Sequence, residues 1–287
     1  MSETRGTLYR VPNALDFGIA GADEAVPLDD VLPIGALRVA AGLNHWVAEN
    51  ARSTRAFLKR VDRIVPLARA LQQIEIVELP RVPKGGKQAA APELGPLLAP
   101  LRTGADLGLI SEAGLPAVAD PGAALVQAAH AEHLPVVALP GPSSLLLALA
   151  ASGLNGQSFA FVGYLPVEAP ARAARLRELE VLSRKARQTQ LLIETPYRNA
   201  AILQAMLEHL QPGTRVAVSC GLTAPGAFTR TDSVARWRSQ PGTLLPIDRR
   251  SLRCSPIESR ALQDDEVSSS GAFLAPNSAA TFFFGLM

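Results

Sequence analysis

Residues 109–156, LISEAGLPAVADPGAALVQAAHAEHLPVVALPGPSSLLLALAASGLNG, constrain the fold more than any other part of this 287-residue chain. Two short apolar runs each end in a Gly/Pro-rich turn, and each turn opens an Ala/Leu-rich helical segment. The first turn is Ser111-Glu112-Ala113-Gly114-Leu115-Pro116, closing at Asp120-Pro121-Gly122; the second is Pro140-Gly141-Pro142-Ser143-Ser144. Two consecutive strand–turn–helix units predict a parallel sheet with both loops at its carboxyl edge. In open α/β sheets that edge is where ligands bind.

The length favours two domains, and an apolar fraction of 48% is ample for a buried core in each. A net charge of +2 gives no global signal for nucleic acid and leaves only local basic patches. Two distant cysteines, Cys220 and Cys254, fit a reduced, cytoplasmic protein. His45, His130, His133 and His209 form no ligand cluster, so no metal is expected. No apolar run is long enough for a membrane helix, and the first residues lack the apolar core of a signal peptide, so no membrane association is expected.

Periodicity and punctuation predict the remaining elements. Strands are expected at 7–11, 45–49, 73–79, 107–110 and 136–139. Helices are expected at 28–41, starting or kinking at Pro33, at 54–61 with Ser53 as N-cap, and at 93–101, 123–132 and 142–152. Residues 81–92, RVPKGGKQAAAP, read as a surface loop. The second half repeats the alternation, with strands at 158–164, 190–194, 215–220 and 228–232 and helices at 169–187, 199–210 and 233–238. The expected organisation is an α/β domain over 1–154, a second over 155–241, and an irregular, poorly ordered tail over 242–287.

Three features carry candidate chemistry. The Gly/Pro turns sit at helix N-termini, where main-chain N–H groups receive carboxylate or phosphate; Gly141 would let a ligand approach the backbone closely. The plainer alternative is a pair of tight connections in which Glu112 and Asp120 merely fix their turns. Second, Glu194-Thr195-Pro196-Tyr197-Arg198 joins a strand to a helix and bears an acid and a base. Third, the helix at 169–187 carries Arg172, Arg175, Arg177, Arg184, Lys185 and Arg187. That face either tracks a phosphate backbone or is simply solvated and paired with Glu178 and Glu180. No Gly-x-Gly-x-x-Gly or Walker sequence follows the first strand, which argues against a nicotinamide enzyme or an NTPase. A hydrolase elbow is also missing.

In order along the chain, 110–116 with 120–122, 139–144, 151–154, Phe161-Val162-Gly163-Tyr164-Leu165-Pro166 and 194–198 resemble the tetrapyrrole methylase family of S-adenosylmethionine-dependent methyltransferases. The likeness runs from about residue 6 to 240. Within the family it leans to the branch that methylates a cytidine ribose 2′-hydroxyl in small-subunit ribosomal RNA. The resemblance implies two α/β domains in tandem with the cofactor cleft between them, and a homodimer. It implies that Pro12, Ser111, Ala113, Gly114, Pro116, Ser143, Ser144, Glu194 and Thr195 line the S-adenosylmethionine site. Glu112 and Asp120 are then the first candidates for a general base, with Glu194 a third. Arg184, Lys185 and Arg198 are the candidate contacts to ribosomal RNA or the small ribosomal subunit.

The chain departs from the family in its first loop, Val11-Pro12-Asn13-Ala14-Leu15-Asp16, where neither the Thr-Pro-Ile-Gly-Asn type nor the Gly-rich type stands. Glu112 and Leu115 replace the usual Asp and Thr, and no last strand is recognisable in the tail. Three functions therefore compete: an RNA ribose methyltransferase, a porphyrin or corrin C-methyltransferase, and a non-catalytic relative that binds cofactor or RNA.

Overall fold

A computed structural model describes residues 5–16, 26–80, 93–195, 198–225, 227–240 and 282–287. It divides into two compact units, Met1–Leu147 with Thr223–Pro225, and Ala148–Leu222 with Gly226–Met287.

The first unit is built on five parallel strands: β1 (Leu8–Arg10), β2 (His45–Ala48), β3 (Glu75–Glu78), β4 (Leu107–Ile110) and β5 (Val136–Ala138), in the order β3-β2-β4-β1-β5. Every residue of β4 is buried, as a central parallel strand covered on both faces requires. Alternate residues serve opposite faces. Trp46, Ala48 and Ile110 join the core formed with helices α1 (Leu28–Val31), α2 (Ile34–Gly42) and α3 (Ala51–Asp62). Val47, Leu107 and Leu109 face α4 (Ala99–Arg102) and α5 (Ala123–Ala131) through Leu98, Leu101, Leu125 and Ala129.

Of the two readings at Pro33, a start and a kink, the start holds: Pro33 is the N-cap of α2, and the residues before it form α1, a separate single turn. The N-cap of α3 is Asn50 rather than Ser53: the Asn50 side chain accepts from the N–H groups of Arg52 and Ser53 at 2.9 and 3.2 Å. The helix expected at 93–101 is a 3-10 turn (Gly95–Leu98) running into α4, because Pro96 and Pro100 withhold amide donors. The loop expected at 81–92 lies outside the described residues.

Helix α6 (Ser144–Ser152) carries the chain from the first unit into the second. Gly153 follows it at φ +63, the left-handed helix stop that the sequence suggests. The second unit holds β6 (Phe159–Gly163), α7 (Ala169–Ala186), β7 (Thr189–Glu194), α8 (Asn199–His209), β8 (Arg215–Cys220), β9 (Phe228–Ser233), α9 (Val234–Ser239) and β10 (Phe282–Leu286). Its sheet runs β6-β7-β10-β8-β9 and is mixed: β6 and β7 are parallel, whereas β10 is antiparallel to both β7 and β8. Leu176, Leu179, Ile202, Met206, Val216, Val218, Trp237 and Leu286 form its core.

Strand β10 corrects the expectation of an irregular tail over 242–287. Residues 282–286 occupy the middle of the second sheet, and Met287 exchanges backbone hydrogen bonds with Arg215 at 2.8 and 3.0 Å. The rest of that segment, 241–281, lies outside the described residues.

Candidate functional site in the first unit

Because all five strands of the first sheet are parallel, the segments leaving β1, β2, β4 and β5 emerge at one edge. From β1 the chain crosses toward β2, and from β4 it crosses the other way, to β5. The strand order therefore reverses between β1 and β4, which are neighbours. Such a switch point is where an α/β sheet opens to a ligand.

Here the loops after β1 and β4 are stitched together. Asn13 N–H donates to Gly114 O at 2.8 Å, and Gly114 N–H donates back to Asn13 O at 3.2 Å. The buried Asn13 side chain donates to Ser111 O (3.3 Å) and Glu112 O (2.9 Å). Arg10, the last residue of β1, donates from Nε and Nη2 to Pro116 O at 3.2 and 2.6 Å. Ser111 Oγ donates to Ala113 O at 3.1 Å. The loop at 111–116 is thus held at both ends and in the middle.

The loop after β5 closes on the same place. A Cβ on Gly141 would lie 2.2 Å from Pro12 Cβ and 2.5 Å from Pro12 Cγ, a separation no side chain tolerates. A Cβ on Gly114, at φ +67, would lie 3.2 Å from Leu15 Cδ2 and 3.6 Å from Pro142 O. Pro12, Gly114 and Gly141 are therefore in mutual reach, with Ser111, Ala113 and Pro116 on the same loop. Ser143 and Ser144 head α6, where Ser143 O accepts from Leu147 N–H at 2.9 Å.

This geometry alters two expectations. The amides of Glu112 and Gly114 are already engaged, by Glu49 and Asn13, and are not those that a ligand would use. The need for glycine at 141 comes first from contact with Pro12, not from a ligand.

The electrostatics centre on Asp120. Partial burial pushes its carboxyl up to about 7, and the nearby charge of Glu49 adds to the effect. A hydrogen bond from Ser111 opposes the shift, and Glu112 reinforces it. The approach to Asp120 is strained: Ala117 and Ala119 stand at φ +64 and +63, a region alanine avoids. Ala117 N–H donates to Pro121 O at 3.2 Å across that bend.

Sequence reasoning missed Glu49 and Asn13. Glu49 follows the last residue of β2, donates its N–H to Ile110 O at 3.1 Å and accepts the Glu112 N–H on Oε2 at 3.1 Å. The signal was present in His45-Trp46-Val47-Ala48-Glu49, an apolar strand ending in an acid. Recognising it required knowing that β2 lies beside β4.

Residues 194–198 belong to the second unit. Glu194 is buried at the end of β7; its Oε1 accepts from Thr195 N–H at 2.8 Å and Thr195 Oγ1 at 3.1 Å. Its Oε2 lies 3.3 Å from Arg198 Nη2, an ion pair without hydrogen-bond alignment. Arg198 Nη2 also donates to Leu165 O and Pro166 O at 3.0 and 3.2 Å. These three side chains thereby tie β7, the start of α8 and the segment after β6 into one frame. Pro196 and Tyr197 lie outside the described residues. Arg184 and Lys185 are exposed in the last turn of α7, where cations also complement the helix dipole. Among the described residues no group of three or more His, Cys, Asp or Glu side chains is arranged to hold a metal. No helix among them is long and apolar enough to cross a membrane.

Residues 36–235, more than half of the chain, match the sequence profile of the Tetrapyrrole (Corrin/Porphyrin) Methylases. The chain belongs to the tetrapyrrole methylase family. Its place in the family of methylases implies a methyl donor. Among curated relatives, this family member is similar to a ribosomal RNA small subunit methyltransferase I of Mesorhizobium japonicum, 41% identical over 50% of this chain and 48% of that one. It is similar to one of the same name from Pseudomonas aeruginosa, 34% identical over 60% of this chain and 54% of that one. The chain spans about half the length of the curated relatives it matches. Among solved structures it is similar to a uroporphyrin-III-C-methyltransferase from Thermus thermophilus, with a TM-score of 0.45 and 18% identity, covering 98% of this chain and 94% of that one.

Proposed function

We propose that this chain is an S-adenosylmethionine-dependent methyltransferase that methylates a ribose 2′-hydroxyl in small-subunit ribosomal RNA. The observation that carries the reading is the meeting of loops 12–13, 111–116 and 141–142 at the switch point of the first sheet, in a member of a methylase family. The names of the relatives at 41% and 34% identity point to small-subunit ribosomal RNA, and the ribose hydroxyl within it follows from the sequence resemblance.

The residues present suit such a donor. S-adenosylmethionine is cationic at sulfur and at its amino group, and Glu49, Glu112 and Asp120 gather carboxylates about the first loop. Its carboxylate matches the amino end of α6, headed by Ser143 and Ser144. When bound, the donor supplies an electrophilic methyl group, and its sulfur leaves with the bonding electron pair.

The chain has two tasks in that reaction. The first is to position donor and acceptor in line, which the loops held by Asn13, Arg10 and Pro12 would do. The second is to receive the hydroxyl proton as the new O–C bond forms. Asp120, with a carboxyl raised to about 7, is matched to accept a proton near neutral pH, with Glu112 beside it on the same loop. Glu194 is the weaker base, because its oxygens already serve Thr195 and Arg198. Arg184 and Lys185 are assigned to RNA phosphates. A homodimer is part of the proposal, favoured by the exposed Phe159 and Phe161 on edge strand β6.

The test is calorimetric titration with S-adenosylmethionine, followed by transfer of labelled methyl to undermethylated small ribosomal subunits and, separately, to uroporphyrinogen. Binding with label on the subunits is expected. Label on the macrocycle instead would replace the RNA acceptor, and no heat of binding would end the enzyme reading.

A further inference from the structure

We propose that Glu49 is a positioning residue of the first-unit site: from the end of β2 its carboxylate holds the loop at 111–116 through the Glu112 N–H and sets the electrostatic surroundings of Asp120. The proposal rests on the methyltransferase reading for its consequence, though not for its geometry.

Glu49 is fixed from both sides. Its own N–H is bound to Ile110 O at 3.1 Å, one step beyond the Ala48–Ile110 register of β2 and β4. The next residue, Asn50, is locked as the cap of α3 by two hydrogen bonds. Between a strand end and a helix cap the backbone has little freedom, so the side chain is presented from a rigid base. Its Oε2 meets the Glu112 N–H at 3.1 Å. This is a bond between the loop and a strand that the loop does not otherwise follow in sequence. Glu49 thus reaches from one βα connection into another.

The groups acting on Asp120 come from two elements. Glu49 contributes a negative charge from β2; the segment after β4 contributes Glu112 and the Ser111 hydroxyl. Arg10 on β1 directs its guanidinium at Pro116 O on the same loop. Without the charge of Glu49, Asp120 ionises more easily.

Two variants separate shape from charge. Glu49→Gln keeps an oxygen to accept the Glu112 N–H and removes the charge; Glu49→Ala removes both. The first readout is the NMR titration of the Asp120 carboxyl carbon, together with the Glu112 amide proton shift, in the purified protein without cofactor. In Glu49→Gln the Asp120 midpoint is expected to fall by about half a pH unit or more while the Glu112 amide stays near its wild-type shift. In Glu49→Ala both are expected to move. The second readout is methyl transfer against pH. Glu49→Gln is expected to move the acid limb downward with KM for S-adenosylmethionine within about twofold, and Glu49→Ala to raise that KM about tenfold. An Asp120 midpoint unchanged in Glu49→Gln overturns the proposal, as does a Glu112 amide unmoved in Glu49→Ala. If wild-type protein transfers no methyl group, the functional reading fails, and the titration still decides the role of Glu49. Should Glu49→Ala not fold, the isosteric Gln variant decides alone.

Discussion

Asp120 is the residue at which chemistry and stability pull apart. Below about pH 4 its carboxyl is protonated whether the chain is folded or not. Between there and about pH 7 the folded chain keeps a proton that the unfolded chain has lost, so stability falls as pH rises through this window. Above it the penalty is constant. Asp120→Asn should therefore stabilise the first unit at pH 8, by roughly 1–3 kcal/mol after allowing for solvent screening, and have little effect at pH 4. Urea unfolding of both proteins at the two pH values measures the difference. An equal effect at both pH values would mean that Asp120 is not held back from ionising. Gly141 offers a second test at this scale. Gly141→Ala drives a Cβ into the rigid Pro12 ring, so the two loops must part; about 1–3 kcal/mol of destabilisation and weaker donor binding are expected. Gly35→Ala is the control: a Cβ there meets nothing within 4 Å, and inside α2 alanine should stabilise by about 0.5–1 kcal/mol. The sequence made Gly141 visible as a turn glycine, but not its reason. Contact between Pro12 and Gly141 joins residues far apart in the chain, and local pattern carries no such information.

At the scale of elements, strands and helices of the first unit were readable because each apolar run ends in its own punctuation. Leu107-Gly108-Leu109-Ile110 before Ser111, and the Ala/Leu run stopped by Gly153, leave little room for another assignment. Helix starts were less readable. Asn50 and Ser53 are both good caps, and it is Asn50, just after β2 ends at Ala48, whose side chain accepts from the Arg52 and Ser53 N–H groups. The element with the clearest functional test is α7. Its inner face, Leu176, Leu179 and Ser183, is buried, and its last turn leaves Arg184 and Lys185 in solvent. Replacing both with Glu should weaken RNA binding and flatten the plot of log affinity against log salt by up to about two units, one for each lost phosphate contact. An unaltered slope, measured by filter binding across a salt series, would assign these cations to the helix dipole alone.

At the scale of the whole molecule, the second sheet depends on six residues at the end of the described chain. Strand β10 pairs with β7 on one side, Phe282 opposite Glu194 through Leu286 opposite Gln190, and with β8 on the other. Among the described residues no other strand joins those two, and β10 alone makes the sheet continuous there. The sequence hid this because Phe282-Phe283-Phe284 is a short apolar run with no alternation, separated from its partners by most of the second unit. A strand paired on both sides needs no amphipathic period, and its place is fixed by partners that no local window contains. Ending the chain after residue 281 would strip β7 and β8 of their ladder partners and remove Leu286 from the core. Each strand would then present unpaired N–H and C=O groups at what had been the middle of a sheet. The shortened protein should lose the cooperative unfolding of the second unit, shown by loss of amide-exchange protection in β7 and β8, while β1, β2 and β4 stay protected. A peptide spanning 276–287, added in trans, should restore part of that protection by strand addition, provided sequence-specific pairing rather than chain connectivity makes β10 bind. Protection of β7 and β8 that survives the truncation would show that the two halves of this sheet stand without the strand between them.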